Sequence, residues 1–218
     1  MMALTPGMKH QTSSSQEDFW KNKITESYAR DNSVFDKQLG MSAWEIILSK
    51  IDKSNISSYL DCGSNTGRNI AFLRKVLPAA TSNIVELAKG PYDKCLKDFQ
   101  IEESFLGPLK DAKFERKFDL VFTSGVLIHV NPDDLLKSMG RMFELSSRYI
   151  LIIEYFNQTP VMINYRGEDN RLFKRDFGKL FVENFDCKVL DYGFLWSHVF
   201  DSAGFDDSNY WLFEKSND

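Results

Sequence analysis

Short apolar runs alternate with stretches of helical spacing along most of this chain. The apolar runs predict one β-strand that ends at residue 60. They predict further strands at 82–86, 101–105, 118–123, 149–154, 188–196 and 209–214. Apolar residues at helical spacing predict helices at 44–51, 69–77 and 92–99, and a fourth helix that begins at residue 132. This repetition is typical of an α/β fold, a mostly parallel sheet with helices on both faces, and the last two runs predict an antiparallel pair.

Capping residues predict where two of these helices begin. Ser42 is predicted to cap the helix around 44–51, with Glu45 at the capping-box position. Asn131 is predicted to cap the fourth helix, because Pro132 follows at the first helical position, where proline is favoured. The first of these helices leads into the strand that ends at Leu60.

The chain is long enough to bury one sizeable core, which predicts one domain. It has 218 residues, of which 43% are hydrophobic. Residues 1–16 are polar and lack periodicity, so we expect a disordered tail there and a single domain over 17–218. Within that domain the pattern breaks at 155–178, a long polar and aromatic segment of the kind that forms functional or mobile loops.

Composition argues against several kinds of partner. The formal net charge of −4 gives no electrostatic reason to expect binding to nucleic acid or to an anionic membrane. No apolar run has the length of a membrane span, and the first residues lack the apolar core of a signal peptide. The three cysteines, Cys62, Cys95 and Cys187, lack metal-ligand spacing and are interpreted as small buried residues, which predicts a reducing, cytoplasmic location without a metal site.

The strand that ends near Leu60 runs into a turn with two glycines four positions apart, and a helical pattern follows at once. Such a turn places backbone N–H groups and a helix N-terminus beside an open crevice, where glycine lets a ligand approach the backbone closely. The turn therefore predicts a binding site for a nucleoside cofactor. The residues expected to contact this cofactor are Asp61, Gly63, Ser64, Asn65, Thr66 and Gly67, with Ser124 and Gly125 from a neighbouring strand end.

A second acid narrows the choice of cofactor, because the turn alone suits nicotinamide, flavin or S-adenosylmethionine. Glu86 ends the next strand about twenty residues after the turn, where a carboxylate can accept hydrogen bonds from both ribose hydroxyls. Asp61 would be poorly placed against a pyrophosphate but is tolerable beside the methionine ammonium of S-adenosylmethionine. The three-glycine pattern of dinucleotide sites is also missing, which disfavours the nicotinamide alternative.

These motifs together resemble class I S-adenosylmethionine-dependent methyltransferases. The resemblance rests on 60–69, on Glu86, and on 118–129 with its pattern Asp-Leu-Val-x-x-x-x-Val-Leu-x-His. More narrowly, 60–69, 125–135 and 164–177 are similar to methylases associated with pseudaminic acid biosynthesis. The resemblance implies a Rossmann-like fold whose mostly parallel seven-stranded sheet has an antiparallel terminal strand. It also implies S-adenosylmethionine as the cofactor and S-adenosylhomocysteine as the product.

The same resemblance implies two N-terminal contacts and reveals one departure from the family pattern. Tyr28 and Arg30 are expected to close over the cofactor, with Arg30 pairing with its carboxylate. The alternative is a solvated helix face with one aromatic side chain packed beneath it. Asn65 occupies a position that is glycine in many methyltransferases, so its side chain must either contact the cofactor or redirect the loop.

Methyl transfer from a sulfonium requires alignment of the reacting atoms more than it requires a catalytic group. His129 lies just beyond the C-terminal end of a strand and is the first candidate for a general base. The alternative is a histidine that packs on the cofactor or forms a local hydrogen bond. Glu154 and Tyr155, at the end of the apolar strand 149–154, are the second choice for catalysis.

The segment 155–178 combines arginine and lysine with aromatic residues. Guanidinium groups beside aromatic planes suit an anionic sugar, a sugar nucleotide or another carboxylate or phosphate ligand. The alternative is a solvated, charged surface helix. We expect this segment to bind the acceptor and to cover the crevice as a lid. The residues expected to contact the acceptor are Asn157, Tyr165, Arg166, Arg171, Lys174 and Arg175.

The sequence thus predicts a methyltransferase that acts on a small polar acceptor, and the narrower resemblance implies a sugar or sugar nucleotide of surface-glycan biosynthesis. The residues leave open whether oxygen or nitrogen is methylated, and they do not indicate an oligomeric state. Three alternatives remain: a non-catalytic S-adenosylmethionine-binding subunit of a glycan assembly, a nicotinamide oxidoreductase, and an enzyme that methylates a protein.

Overall fold

A seven-stranded sheet forms the centre of the molecule. The computed structural model describes residues 13–22, 35–165 and 168–216 of the chain. The strands are β1 (Ser58–Cys62), β2 (Thr81–Glu86), β3 (Ser104–Leu106), β4 (Phe118–Ser124), β5 (Ser146–Glu154), β6 (Val161–Tyr165), β7 (Glu168–Lys174), β8 (Cys187–Leu195) and β9 (Ser208–Lys215). The helices are α1 (Ser13–Asn22), α2 (Lys37–Ile47), α3 (Arg68–Val76), α4 (Lys89–Asp98), α5 (Pro132–Leu145), α6 (Phe177–Asn184) and α7 (Ser197–Phe200). Short 3-10 helices cover Lys53–Asn55, Leu109–Asp111, Leu127–His129 and Asp201–Ala203.

The strands of the sheet lie in the order β3-β2-β1-β4-β5-β9-β8. Strands β1 to β5 are parallel, whereas β9 lies antiparallel between β5 and β8. Strand β1 is buried along its whole length, as expected for a parallel strand covered on both faces. The predicted mostly parallel sheet with an antiparallel terminal strand is confirmed. Because β1 to β5 are parallel, they end at the same edge of the sheet, here called the carboxyl edge.

Helices cover both faces of the sheet, as predicted. On one face α2 and α3 contribute Trp44 and Phe72 to an apolar core, and both side chains are fully buried. On the other face α5 and α6 contribute Met139 and Phe181, which are also fully buried. Burial of large apolar side chains on both faces stabilises the sheet and fixes the positions of its strand ends.

Helix α2 is not capped by Ser42, so this prediction was wrong. The cap is Asp36, whose carboxylate accepts a hydrogen bond from Leu39 N at 3.0 Å. Ser42 lies inside the helix, and its hydroxyl donates to Gln38 O at 3.1 Å. A serine that hydrogen-bonds one turn back in this way can occur within a helix, so serine before an apolar face does not by itself mark a helix start.

The other predicted helices and strands are present, with small shifts at their ends. Asn131 caps α5 as predicted, and its side chain accepts a hydrogen bond from Asp133 N at 2.9 Å. Pro132 is the first residue of that helix. The predicted strand at 101–105 is shorter and later than expected, because only Ser104–Leu106 pairs with β2.

The segment after β5 forms a hairpin of two antiparallel strands, β6 and β7, and helix α6 follows it. The sequence pattern predicted neither element, and the alternative of a charged surface helix is also wrong. Helix α6 is only about two turns long, too short for a clear helical period. Leu172 of β7 belongs to the same apolar cluster as Leu127 and Ile128, and β7 lies against the 3-10 helix that contains them. The hairpin is therefore held beside the carboxyl edge.

The end of the predicted tail over 1–16 overlaps a helix, and residues 1–12 lie outside the described residues. Helix α1 begins at Ser13, and Gln16 is only 3% exposed. Residues 13–16 therefore belong to the folded part of the chain. Their polar character concealed this, because Gln16 is held by an amide hydrogen bond to His129 O at 2.8 Å and not by apolar packing alone.

The cysteines are mostly buried, as predicted. Cys62 and Cys95 are buried, Cys187 is half-buried, and all three are free thiols. Burial raises the pKa of Cys95 to about 12 and that of Cys187 to about 11, so neither thiol ionises readily. Within the described ranges, no helix combines the length and the apolar character needed to cross a membrane.

Candidate functional site

A cavity lies at the carboxyl edge, between the ends of β1, β2 and β4. The turn after β1 forms one wall, the turn after β2 forms a second, and the turn after β4 forms a third. Helix α1 contributes Trp20 to the same cavity. The lining residues are Trp20, Gly63, Ser64, Asn65, Thr66, Arg68, Asn69, Glu86, Leu87, Ala88, Pro91, Ser124, Gly125, Val126, His129 and Val130. Parallel α/β sheets bind ligands at this kind of crevice, beyond the carboxyl ends of their strands.

Two glycines are required in the turn after β1. Gly63 has a φ of +99° and Gly67 a φ of +90°, both in the left-handed region that favours glycine. A Cβ on Gly63 would lie 2.4 Å from Val126 Cγ2, and one on Gly67 would lie 2.5 Å from Cε2 of Phe99. The contact with Val126 joins the turns after β1 and β4, so glycine at position 63 allows these two walls of the cavity to pack closely.

Asn65 adopts the left-handed conformation that glycine would adopt at the same position. Its φ is +48°, and no other non-glycine residue of the described ranges has a positive φ. Asparagine tolerates this conformation better than most residues. Its backbone N–H donates to Glu86 Oε2 at 2.7 Å, and its side chain lines the cavity. The departure from glycine therefore leaves the turn intact and adds an amide to the wall of the cavity.

Glu86 joins the turns that follow β1 and β2. Besides Asn65 N, its carboxylate accepts a hydrogen bond from Ala88 N at 2.8 Å. Burial raises the pKa of Glu86, and the hydrogen bonds from Ala88 and Asn65 oppose that rise. Each carboxylate oxygen has a second lone pair, so Glu86 can still accept hydrogen bonds from a ligand.

Asp61 is fully buried at the end of β1, and neither of its carboxylate oxygens has a hydrogen-bond partner among the described residues. The side-chain oxygens of Asn65 and Asn69 are also buried without a donor there. Burial raises the pKa of Asp61 to about 8; Glu86 adds to the rise and Arg68 opposes it. Buried acceptors without donors are costly, so this side of the cavity would be stabilised by a ligand with N–H or O–H groups or a positive charge.

Most of the predicted cofactor contacts meet at this cavity, although no ligand is present to test them. Gly63 to Thr66, Glu86, Ser124 and Gly125 all line it, and so does the predicted base His129. Asp61 and Gly67 do not line the cavity: Asp61 is buried within β1, and Gly67 is the N-cap residue of α3. Tyr28 and Arg30 lie outside the described residues.

His129 ends the 3-10 helix after β4 and packs against helix α1. The centroids of the His129 and Trp20 rings are 4.1 Å apart, with the planes tilted by 49°. The His129 carbonyl also accepts the hydrogen bond from Gln16. Sequence reasoning missed Trp20 as a residue of the site, because nothing in the local pattern of α1 indicates which distant turn it contacts.

Ion pairs hold α1 in this position. Lys110 Nζ lies 2.7 Å from Glu17 Oε1 in α1 and 2.9 Å from Asp134 Oδ2 in α5. The same part of α1 covers a second cavity, with an apolar lining that includes Leu87, Leu109 and Val126. The two cavities share Trp20, Gly63, Leu87, Val126, His129 and Val130 as walls. They lie side by side, and most of the exposed lining of each is apolar. The first has the larger polar share and is called here the polar compartment, and the second is called the apolar compartment.

Glu154 does not line the cavity, contrary to the expectation of a catalytic role there. It is fully buried, and its Oε1 accepts hydrogen bonds from Val126 N at 2.9 Å and Leu127 N at 2.8 Å. Its Oε2 accepts from Ile128 N at 3.3 Å. Burial raises the pKa of Glu154 to about 7, although the three backbone donors oppose that rise. The carboxylate faces the backbone of the turn after β4 and not the space where a substrate would bind.

Tyr155 also lies away from the cavity walls. Its hydroxyl donates a hydrogen bond to Asp206, and the ammonium of Lys174 lies 4.9 Å from the centroid of its ring. These contacts tie the end of β5 to the end of β7 and to the loop before β9. Tyr155 therefore joins neighbouring segments and does not line the cavity with His129.

Three of the predicted acceptor residues, Asn157, Lys174 and Arg175, have described side chains, and none of these lines the cavity. Asn157 donates from Nδ2 to Thr159 O at 2.6 Å, within its own turn, and Lys174 packs on Tyr155. Arg175 is half-buried; its Nε has no hydrogen-bond partner, and burial lowers the pKa of its guanidinium. Arg166 and the side chains of Tyr165 and Arg171 lie outside the described part of the structure. Within the described ranges, no group of three or more His, Cys, Asp or Glu residues is arranged to hold a metal ion.

No family model matches this chain, and a search of curated proteins finds no match. Solved structures do match. The chain is similar to a 1,6-didemethyltoxoflavin-N1-methyltransferase from Burkholderia thailandensis, with 15% identity and a TM-score of 0.73 over 96% of this chain and 93% of that one. It is also similar to a SAM-dependent methyltransferase from Leishmania major, with 14% identity and a TM-score of 0.69 over 93% and 82% of the two chains.

A third similar structure is a magnesium protoporphyrin IX methyltransferase from Synechocystis, with 12% identity and a TM-score of 0.62 over 97% of this chain and 100% of that one. The Burkholderia structure contains S-adenosylhomocysteine, and the Synechocystis structure contains SAM. The similarity covers nearly the whole chain in each case. The predicted Rossmann-like fold of class I methyltransferases is therefore confirmed.

Replacing Asn65 tests the left-handed conformation of the turn. We expect Asn65→Ala to lower the free energy of unfolding by about 1 kcal/mol, because alanine adopts this conformation less readily. Asn65→Gly is the matched variant, and its loss is expected to be smaller because glycine adopts a positive φ without strain. Urea unfolding measures both. Equal losses would contradict this account and attribute the effect to the side-chain amide.

The raised pKa of Asp61 predicts how stability changes with pH. The folded protein keeps this proton up to about pH 8, whereas the unfolded chain loses it near the ordinary aspartate pKa of 3.8. The stabilisation is therefore complete below the unfolded pKa and is lost as pH rises through the folded pKa. Between about pH 5 and about pH 7, we expect the unfolding free energy of the wild type to fall with rising pH more steeply than that of Asp61→Asn. The two slopes should differ by about 1 kcal/mol per pH unit. Identical slopes in urea unfolding would refute the shift.

Proposed function

We propose that this protein is a methyltransferase that uses S-adenosylmethionine to methylate a small polar molecule. The observation that supports this most directly is the set of buried acceptors without donors around the turn after β1. Asp61 and Asn69 place buried carboxyl and amide oxygens there, and Asn69 lines the cavity. A ligand with an ammonium group would supply both the donors and the positive charge that this side of the cavity lacks.

The remaining walls are consistent with the rest of such a cofactor. Glu86 lines the polar compartment and has lone pairs left for ribose hydroxyls. The apolar compartment, with Leu87 and Leu109 in its walls, offers the kind of lining that a purine ring requires. In the similar structures from Burkholderia thailandensis and Synechocystis, S-adenosylhomocysteine or SAM is bound. We therefore propose Asp61, Gly63–Gly67, Glu86, Ser124 and Gly125 as the cofactor-binding residues.

The cofactor, when bound, supplies an electrophilic methyl group, so the protein contributes mainly alignment and exclusion of water. Trp20 covers one side of the cavity and restricts the orientation of the His129 ring. Among the described residues, His129 is the titratable side chain that lines both compartments. We propose that it either accepts a proton from a hydroxyl acceptor or packs against the reacting groups.

For the acceptor, we propose a sugar or sugar nucleotide of surface-glycan biosynthesis, on the basis of the sequence similarity to methylases associated with pseudaminic acid. A planar heteroaromatic acceptor is the second candidate. It is favoured by the aromatic pair of Trp20 and His129 in the cavity wall. The similar Burkholderia thailandensis structure contains bound 1,6-didemethyltoxoflavin. Methylation of oxygen and of nitrogen are both compatible with this site.

Two further alternatives predict different behaviour. A non-catalytic subunit of a glycan assembly would bind S-adenosylmethionine but methylate no acceptor, and an enzyme acting on proteins would label a polypeptide. A nicotinamide oxidoreductase is disfavoured because the turn after β1 lacks the three-glycine pattern of dinucleotide sites. We propose a cytoplasmic location, which is consistent with three free cysteines.

Calorimetric titration with S-adenosylhomocysteine tests the cofactor. We expect binding at sub-millimolar concentrations, and Glu86→Gln should weaken it about tenfold because a charged acceptor is lost. Glu102→Gln is the matched control, since Glu102 pairs with Arg116 and does not line either compartment. Folded protein that binds neither S-adenosylhomocysteine nor S-adenosylmethionine would refute the proposal.

Incubation with an isotopically labelled methyl donor tests the transfer itself. The protein is incubated with a metabolite extract, and mass spectrometry identifies the labelled product. A labelled sugar acid or sugar nucleotide would support the first acceptor class, and a labelled heteroaromatic compound would support the second. Binding of the cofactor without any labelled product would favour the non-catalytic alternative.

A further inference from the structure

The turn after β4 contacts three other parts of the protein. Its Val126 packs against Gly63 in the turn after β1, and its His129 packs against Trp20 in α1. Leu127 and Ile128 share an apolar cluster with Leu172 of the hairpin. The position of this turn therefore affects the cofactor side, the cover and the hairpin side of the cavity together.

The N–H of Gly125, the first residue of this turn, donates to Ile153 O at 2.9 Å, and the three N–H groups after it cannot be satisfied by the turn's own short helix. The next two N–H groups are bonded locally, from His129 to Val126 O at 2.9 Å and from Val130 to Leu127 O at 3.1 Å. The three before them, of Val126, Leu127 and Ile128, all donate to Glu154. The carboxylate comes from the end of β5, so it acts as a long-range cap for this 3-10 helix.

We propose that Glu154 is a positioning residue for the methyl transfer proposed above, holding Val126 and His129 in place through the backbone of the turn after β4. This role rests on the proposed function. An ionised carboxylate offers acceptors to all three N–H groups and carries no hydrogen that opposes them. In Glu154→Gln, the side-chain NH2 faces either the Val126 and Leu127 donors or the Ile128 donor, so at least one N–H loses its acceptor.

A matched control exists at the opposite edge of the sheet. Asp119 of β4 also accepts hydrogen bonds from the backbone where β1 begins. Its Oδ2 accepts from Ser57 N at 2.9 Å and from Ser58 N at 3.1 Å. Asp119→Asn thus removes one carboxylate that accepts hydrogen bonds from the backbone. Asp119 lies near the start of β4, whereas the cavity lies beyond the end of that strand. A general effect of losing such a group should appear in both variants, whereas an effect on the site should appear only in Glu154→Gln.

Amide hydrogen exchange tests the role without any need for activity. In the wild type, we expect slow exchange at Val126, Leu127 and Ile128, although they lie in a turn. In Glu154→Gln, their exchange should be at least about tenfold faster, because one or more of the hydrogen bonds to the carboxylate is lost. Asp119→Asn should leave these amides protected. Fast exchange of all three amides in the wild type would overturn the proposal.

Ligand binding and kinetics test whether the turn matters for function. We expect Glu154→Gln to bind S-adenosylhomocysteine about tenfold more weakly and to lower kcat more than it raises the KM of the acceptor. Asp119→Asn should lower the melting temperature but leave affinity and kcat unchanged. If Glu154→Gln has the same melting temperature, affinity and kcat as the wild type, the carboxylate does not position the site.

The role of Glu154 can still be tested if Glu154→Gln does not fold or if the wild type does not bind S-adenosylhomocysteine. If Glu154→Gln does not fold, Glu154→Asp replaces it: the charge stays, but the shorter side chain withdraws from the turn, and faster exchange at the three amides is again expected. If the wild type binds no S-adenosylhomocysteine, the proposed function fails, while the exchange measurements still decide whether Glu154 holds the turn. A protected turn in Glu154→Asp with unchanged affinity would count against the positioning role.

Discussion

Backbone N–H groups at the carboxyl edge must find acceptors, and two buried glutamates provide them for most of the site. Glu86 accepts from Asn65 and Ala88, and Glu154 accepts from three consecutive residues after β4. An unsatisfied buried N–H costs more than its hydrogen bond contributes, so each turn is held in the one arrangement that reaches its glutamate. The shape of the cavity follows from these two sets of bonds.

Asp61 differs from both glutamates, although all three acids are buried at the ends of neighbouring strands. The glutamates are occupied by the protein's own backbone, whereas the carboxylate of Asp61 has no donor among the described residues. The two glutamates shape the site through the backbone, and we propose that Asp61, like the remaining lone pairs of Glu86, serves a ligand.

Sequence reasoning was most reliable where the signal is local. The strand, the glycine turn and the helix after β1 occupy adjacent positions, and Asn131 with Pro132 marks a helix start by itself. It failed where the signal lies in distant pairs of residues. Nothing near Trp20 indicates a contact with His129, and the pattern of β5 cannot show that Glu154 turns towards a backbone instead of a cavity. The hairpin was missed because its strands pair with each other and are not part of the main sheet.

The place of β9 in the sheet also bears on how the chain folds during synthesis. β9 follows every other strand in the sequence, yet it lies between β5 and β8 and supplies the hydrogen bonds on both of its sides. While the ribosome is still making β9, strand β8 has no partner and β5 presents an open edge. The nascent protein can therefore assemble its five parallel strands early. It then passes through a stage in which β8 is unpaired and β5 has one open edge, and chaperones or rapid completion of the chain protect this stage from aggregation.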